Sequence, residues 1–195
     1  MIEVTVADLI SPNTVCQSYI VILWDETNRQ ILTVYVGVPS GETIGHILTK
    51  TLARPMTLQF MTNMLQAADV NLKSVRIELL EEDIYYAVAS LDCNGRIEEV
   101  DARPSDAIAL ALLMSSPIYV NKAVMEQAAI KNPPGVENAP VGRGLSKFKN
   151  EYKQKRQKYA QKKQEGLEKF QQMSEEEKKA TSDFTFDFLF DLDRA

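Results

Sequence analysis

Residues 73–120 read KSVRIELLEEDIYYAVASLDCNGRIEEVDARPSDAIALALLMSSPIYV, and the fold class turns on how this run divides. SVRIELL is rich in β-formers and stops at the acidic EED of 81–83. IYYAVASLDC follows and ends at Asn94-Gly95, a dipeptide suited to a tight hairpin turn. RIEEVDA makes a third strand. Arg103-Pro104 then opens an apolar helix, and PIYV returns to strand. Strands grouped in hairpins, followed by a helix and a single strand, argue for an α+β domain over a doubly wound sheet.

The flanks keep that pattern. Ile2, Val4 and Val6 alternate with polar neighbours up to about Leu9, as in a half-buried strand, and SPN at 11–13 marks a turn. YIVILW, the connection DETN at 25–28 and QILTVYVGV read as a hairpin. After Pro39 and Gly41, ETIGHILTKTL has helical spacing, with Ile44, Ile47, Leu48 and Leu52 on one face. Arg54-Pro55 ends that helix, because a residue before proline avoids the helical region. MTLQFMTNMLQAADV, with Met56, Phe60, Met64, Leu65 and Ala68 apolar, is the next helix, and KAVMEQAA follows PIYV as the last. The expected fold is a mixed, hairpin-rich β-sheet with packed helices over 1–131, then a Pro/Asn-rich linker at 132–144. A basic helix at 145–173 and an acidic, aromatic peptide at 174–195 complete the chain.

Charge is distributed unevenly. Residues 1–140 hold 9 Lys/Arg against 17 Asp/Glu, 141–173 hold 10 against 3, and 174–195 hold 3 against 7. The acidic first part counts against tight non-specific nucleic-acid binding by the domain itself. Cys16 and Cys93 lie far apart without metal-ligand partners and read as reduced thiols. The N-terminus lacks a signal-peptide pattern, and no apolar run approaches the ~18 residues needed to cross a bilayer. A soluble, cytoplasmic protein is expected.

The chemistry concentrates at DARPSDA, 101–107. A helix start leaves N–H groups unpaired and carries partial positive charge, so Pro104 at the first position and Asp106 in the first turn are explained by capping alone. Arg103 is not, since a cation there opposes the dipole unless paired. Asp101, two residues upstream on the same face of an extended strand end, is the expected partner. Ala-Arg-Pro recurs at 53–55, again before a helix, so the two arginines and two aspartates form a candidate charged constellation.

DARPSDAIALAL followed by PIYV, with ARPMT some fifty residues upstream and TNRQILTVYVG before it, resembles the bifunctional nuclease family over roughly residues 1–130. The resemblance implies a compact α+β domain with ribonuclease and deoxyribonuclease activity, commonly assembled as a homo-oligomer. By position it carries over Arg54, Thr57, Asp101, Arg103, Ser105 and Asp106. It departs where the family shows His-Asp and this chain has Leu58-Gln59, and where the family shows Glu and this chain has Ser40; Glu42 lies two residues on. Phosphodiester cleavage needs nucleophile activation, leaving-group assistance and charge compensation. Arg54 and Arg103, with Thr57 and Ser105, would bind phosphate, and Asp101 and Asp106 would hold Mg²⁺ or Mn²⁺. RNA or DNA would be the substrate. The alternative is a domain of the same fold without catalysis, serving assembly.

His46 is the sole histidine and reads as a surface or packing residue, which excludes the usual His/Cys zinc site. There is no P-loop, GxGxxG or GxSxG, and Ser40 before Gly41 reads as a turn. EED at 81–83 reads as a solvated hairpin tip, and of Tyr85 and Tyr86, alternating on a strand, one should pack inward. No basic groove with interleaved aromatics is visible in 1–140. In the tail, Leu145, Phe148, Tyr152 and Tyr159 approximate a helical stripe among lysines, open to docking on the acidic domain, to nucleic acid, or to a membrane surface or partner. Phe184, Phe186, Phe188 and Phe190 recur with period two and call for a cover, in this protein or on a protein partner.

Overall fold

In the computed structural model, the described residues are 1–12, 16–51, 54–131 and several positions between 150 and 168. β1 (Ile2–Ile10), β2 (Tyr19–Asp25) and β3 (Gln30–Val36) come first, then α1 (Val38–Thr49) and α2 (Thr57–Ala67). β4 (Val70–Glu81), β5 (Ile84–Cys93) and β6 (Arg96–Ala102) form the second strand group. α3 (Pro104–Met114), β7 (Ile118–Val120), α4 (Lys122–Ala128) and β8 (Ile130–Lys131) follow. The fold class is α+β, as the grouping of hairpins requires.

All eight strands join one mixed sheet in the order β6-β5-β4-β7-β1-β2-β3-β8. Only β4 and β7 run parallel, and α3 lies on the connection leading into β7. β1 links the two halves: Ile2–Val4 pair with β7, and Thr5 onward pair with β2. The register with β2 shifts between Val6 and Asp8, an irregularity shortly after the strand changes partners. β2 is buried along almost its whole length, which accounts for the unbroken apolar run YIVILW.

Turn chemistry explains the hairpins. Asn94 and Gly95 both have positive φ, as a two-residue primed turn requires, and Asp92 Oδ1 accepts the Gly95 N–H at 2.7 Å. Glu82 and Asp83 also adopt positive φ, of 50° and 63°, without a glycine. Two L-residues are held there in a conformation that sterics disfavour.

The core gathers Leu9, Leu23, Leu32, Ile44, Ile77, Ile108 and Met125, all essentially inaccessible. α3 is central: Ser105 and Ala107 through Ala111 are buried, and it packs on α1, α2 and the sheet. α1 lies so close to β2 that a Cβ on Gly41 would collide with the Tyr19 ring, so only glycine fits. His46, at the other end of α1, has Nδ1 2.8 Å from Thr51 Oγ1, a packing role in keeping with the sequence.

The boundaries differ in places. α1 begins at Val38, so Pro39-Ser40-Gly41 is its first turn and not a preceding loop. Proline is accommodated there because the first N–H groups have no intrahelical partner. α2 ends at Ala67 and β4 starts at Val70, earlier than the composition implied, because β4 pairs with β5 along its whole length. β8 adds a two-residue strand beside β3.

The second structural unit begins at Glu151. Its described positions up to 168 are helical and exposed, with Gln164 Nε2 donating to Glu168 Oε1 at 3.1 Å one turn on. The expected linker, Phe148, Tyr152 and Tyr159, and the Phe184–Phe190 peptide lie outside the described residues. Among the described residues no helix is long and apolar enough to cross a membrane.

Candidate functional site

Two strands run into helices through a single residue each. β3 passes through Gly37 into α1, and β6 passes through Arg103 into α3. Both helices carry Pro-Ser in the first turn, Pro39-Ser40 and Pro104-Ser105. Neither has a side-chain cap on its first N–H groups. Both starts open on one cleft of about 610 Å³, lined by Ser40 and Ser105 among others. Two helix N-termini directed at one space make it favourable for an anion.

The end of β6 brings Asp101 and Arg103 to the same cleft. Arg103 Nε donates to Asp106 Oδ2 at 2.7 Å, so its partner is Asp106 one helical turn on, and not Asp101 as expected. The reason is local geometry: i and i+3 lie on one face of the helix start, within reach of a long side chain. Accepting that bond, the Asp106 carboxylate raises the Arg103 guanidinium above its ordinary pKa. Asp106 therefore neutralises the cation that would oppose the dipole, and does not cap the helix N–H groups itself. The Arg103 side chain is 75% exposed, and its terminal N–H groups make no hydrogen bond among the described residues. Asp101 is exposed on β6, opposite Val88, with no side-chain partner among the described residues. Ser105 is only 8% exposed, and its hydroxyl has no hydrogen bond among the described residues.

Further lining comes from β3, from the turn between β4 and β5, and from the start of β5. Tyr35, Asp83, Tyr85 and Tyr86 all line the cleft. Tyr85 packs against the core while Tyr86 stays exposed, as strand alternation requires. Tyr85 Oη donates to the Thr33 carbonyl at 3.3 Å, a link between β5 and β3, which are not sheet neighbours. Burial, followed by the negative charge of Asp83 and the nearby Tyr35, pushes the Tyr85 phenol up.

Arg54 is elsewhere. It lines a separate cleft of about 380 Å³ with Thr62, Leu113 and the neutral amides of Gln59, Asn63 and Gln66. The two arginines thus do not share one cleft, because the helices they precede start at different places on the domain. Thr57 is exposed at the first position of α2 and lines neither cleft. The departures from the family pattern have structural occupations: Leu58 packs against the core, and Gln59 Oε1 accepts the Met56 N–H at 3.1 Å, closing the start of α2. Among the described residues no three His, Cys, Asp or Glu side chains are grouped to hold a metal.

Ser40, Tyr35 and Asp83 belong to the cleft although the sequence singled out none of them for it. One signal was present: Pro-Ser follows a strand end twice, at 39–40 and 104–105. The tyrosines and Asp83 left no such trace, since β3 and β5 meet there only through the tertiary fold.

The sequence profile of the bifunctional nuclease domain matches residues 21–133. An uncharacterized protein of Mycobacterium tuberculosis is 41% identical over 80 residues, covering 41% of this chain and 47% of that protein. Bifunctional nuclease 1 of Arabidopsis thaliana is 28% identical over 132 residues, covering 62% of this chain and 39% of the plant protein. The chain spans less than half the length of these curated relatives.

Proposed function

The chain belongs to the bifunctional nuclease domain family, and from that premise we propose that it cleaves phosphodiester bonds in RNA or DNA at the cleft between the α1 and α3 starts. The observation that supports this reading is the meeting of Asp101, Arg103 and Ser105 with two uncapped helix N-termini in that one cleft.

The scissile phosphate sits over the helix mouths. Arg103, oriented by Asp106, turns its terminal N–H groups to the phosphoryl oxygens, and the Ser105 hydroxyl and first-turn N–H groups of both helices supply further donors. Asp101 is the base: it takes a proton from a water whose oxygen bonds to phosphorus as the bond to the leaving sugar oxygen breaks, and that oxygen collects a proton from solvent. Asp106 acts through Arg103 as a positioning residue. Arg54 and Thr57 stay outside this centre.

The donor set does not fit a resident divalent ion, since among the described residues no third ligand joins it and Arg103 engages Asp106. It fits Mg²⁺ or Mn²⁺ arriving with the substrate, because Mg²⁺ commonly binds through one or two carboxylates plus substrate phosphate, and Asp83 and Asp101 both line the cleft. Such an ion would compensate charge on the phosphoryl oxygens.

The structural occupations of Leu58 and Gln59 favour a second reading, in which the same fold lacks catalysis and serves assembly, as a homo-oligomer or through capture of a protein partner by the C-terminal peptide. Cleavage of end-labelled single-stranded RNA and duplex DNA separates the two. Wild type should cut, Asp101→Asn and Arg103→Ala should lose about 10²–10³-fold in rate, and Asp106→Ala should lose less. A pure wild type that cuts neither substrate in Mg²⁺, Mn²⁺ or EDTA sinks the nuclease reading and leaves assembly.

A further inference from the structure

Tyr35 and Tyr86 are the least economical residues in the cleft. Tyr35 is 64% exposed, between the buried Val34 and Val36, and Tyr86 is 43% exposed. A solvent-facing tyrosine is ordinary, but here two line one cleft together with Arg103 and Ser105. Tyr85, which also lines the cleft, is already occupied: its hydroxyl donates to the Thr33 carbonyl and braces β5 against β3.

We propose that this cleft takes a single nucleic-acid strand, with unpaired bases stacked on Tyr35 and Tyr86 while the adjoining phosphate lies at Arg103 and Ser105. The proposal rests on the phosphodiester reading above and names the form of its substrate. Every base has a π-face, so an aromatic wall binds strands without reading their sequence. In a duplex those faces are covered by neighbouring bases, and side chains reach only base edges and backbone. A wall of rings beside one phosphate site therefore favours a strand whose bases are free. The volume of about 610 Å³ is that of a small-ligand pocket, in scale with a nucleotide or two.

Charge argues in the same direction. Residues 1–140 carry 9 Lys/Arg against 17 Asp/Glu, and among the described residues Arg103 is the one cation lining this cleft. Counterion release there is worth about one phosphate, a salt slope of roughly −0.7 for a single strand. Attraction to the backbone alone would hold a polyanion poorly at such a site, so stacking has to contribute a large share.

The test is fluorescence anisotropy of the full chain in EDTA with three labelled oligonucleotides: a single strand, the same strand with abasic sites, and its duplex. The single strand should bind best. Tyr35→Ala and Tyr86→Ala should each weaken it by roughly 5- to 100-fold, whereas Tyr35→Phe and Tyr86→Phe, which keep the ring, should stay within about twofold of wild type. The factor lost should not change with salt, unlike a phosphate contact. The abasic strand should bind wild type weakly and ignore all four substitutions. Alanine variants that bind the single strand as wild type does, an abasic strand or duplex bound as tightly, or no binding at all, would each overturn the proposal. Melting temperatures of the variants show whether the fold is kept, and the phenylalanine pair isolates the ring from the hydroxyl. Cleavage reports separately: duplex cutting with unaltered alanine variants would leave the nuclease reading standing without this one. Single-strand binding that needs the rings, with no cleavage in any metal, would do the reverse.

Discussion

Asp25 closes β2 with its carboxylate wholly buried. Its Oδ1 accepts the Asn28 N–H at 3.1 Å, and its Oδ2 accepts Asn28 Nδ2 at 2.7 Å and Gln30 Nε2 at 2.8 Å. Burial opposes ionisation, yet these hydrogen bonds outweigh it and hold the pKa below the ordinary carboxylate value. A depressed pKa contributes stability above the unfolded value, near pH 4, that is lost as pH falls through the folded value. Asp25→Asn should therefore cost about 1–3 kcal/mol at pH 7, by loss of charge-assisted acceptors, and the gap from wild type should narrow below about pH 4. Urea denaturation at pH 7 and pH 3 measures both. Arg103 and Asp106 make a pair of a different kind: it is exposed, so it contributes little to stability. In the sequence Asp25 was visible only as a turn residue, because what buries it arrives from the rest of the fold.

At the scale of the element, α3 carries the cleft. Its start supplies Arg103, Pro104 and Ser105, while its body, AIALA, is buried against helices and sheet alike. A helix apolar on nearly every side belongs in an interior, and its start was legible because Arg103-Pro104 marks it. Ile108→Ala removes a fully buried side chain from this helix and should cost about 2–5 kcal/mol, read by thermal or urea denaturation. At permissive temperature that variant should keep its affinity for the single strand, since Ile108 lines no part of the cleft. α1 was less legible at its start. Pro39 and Gly41 look like breakers in isolation, yet proline suits a first turn and glycine is what Tyr19 leaves room for.

For the whole molecule, the cleft is a product of topology. β1 pairs with β7 through its first residues and with β2 through the rest, joining two strand groups that are each local in sequence. The Tyr85–Thr33 bond then holds β5 against β3 across residues 52 apart. Among the described residues no three ligand-type side chains are grouped to hold a structural ion. The melting temperature of the free protein should accordingly be the same in EDTA and in millimolar Mg²⁺, because an ion that binds only with substrate does not stabilise the free fold. A large drop in EDTA would point to a structural ion instead.

The sequence by itself determined most of the elements and the hairpins, the start of α3, and the concentration of charge at 101–106. These depend on residues within a turn or two of one another, where side-chain period, proline and primed turns act directly. Only the tertiary structure decided that β7 lies between β4 and β1, that Arg54 opens on another cleft, and that Tyr35, Asp83 and Tyr86 share a cleft with the α3 start. Those placements follow from burying both strand groups and α3 in one core, a constraint spread over the chain that no short stretch of it encodes.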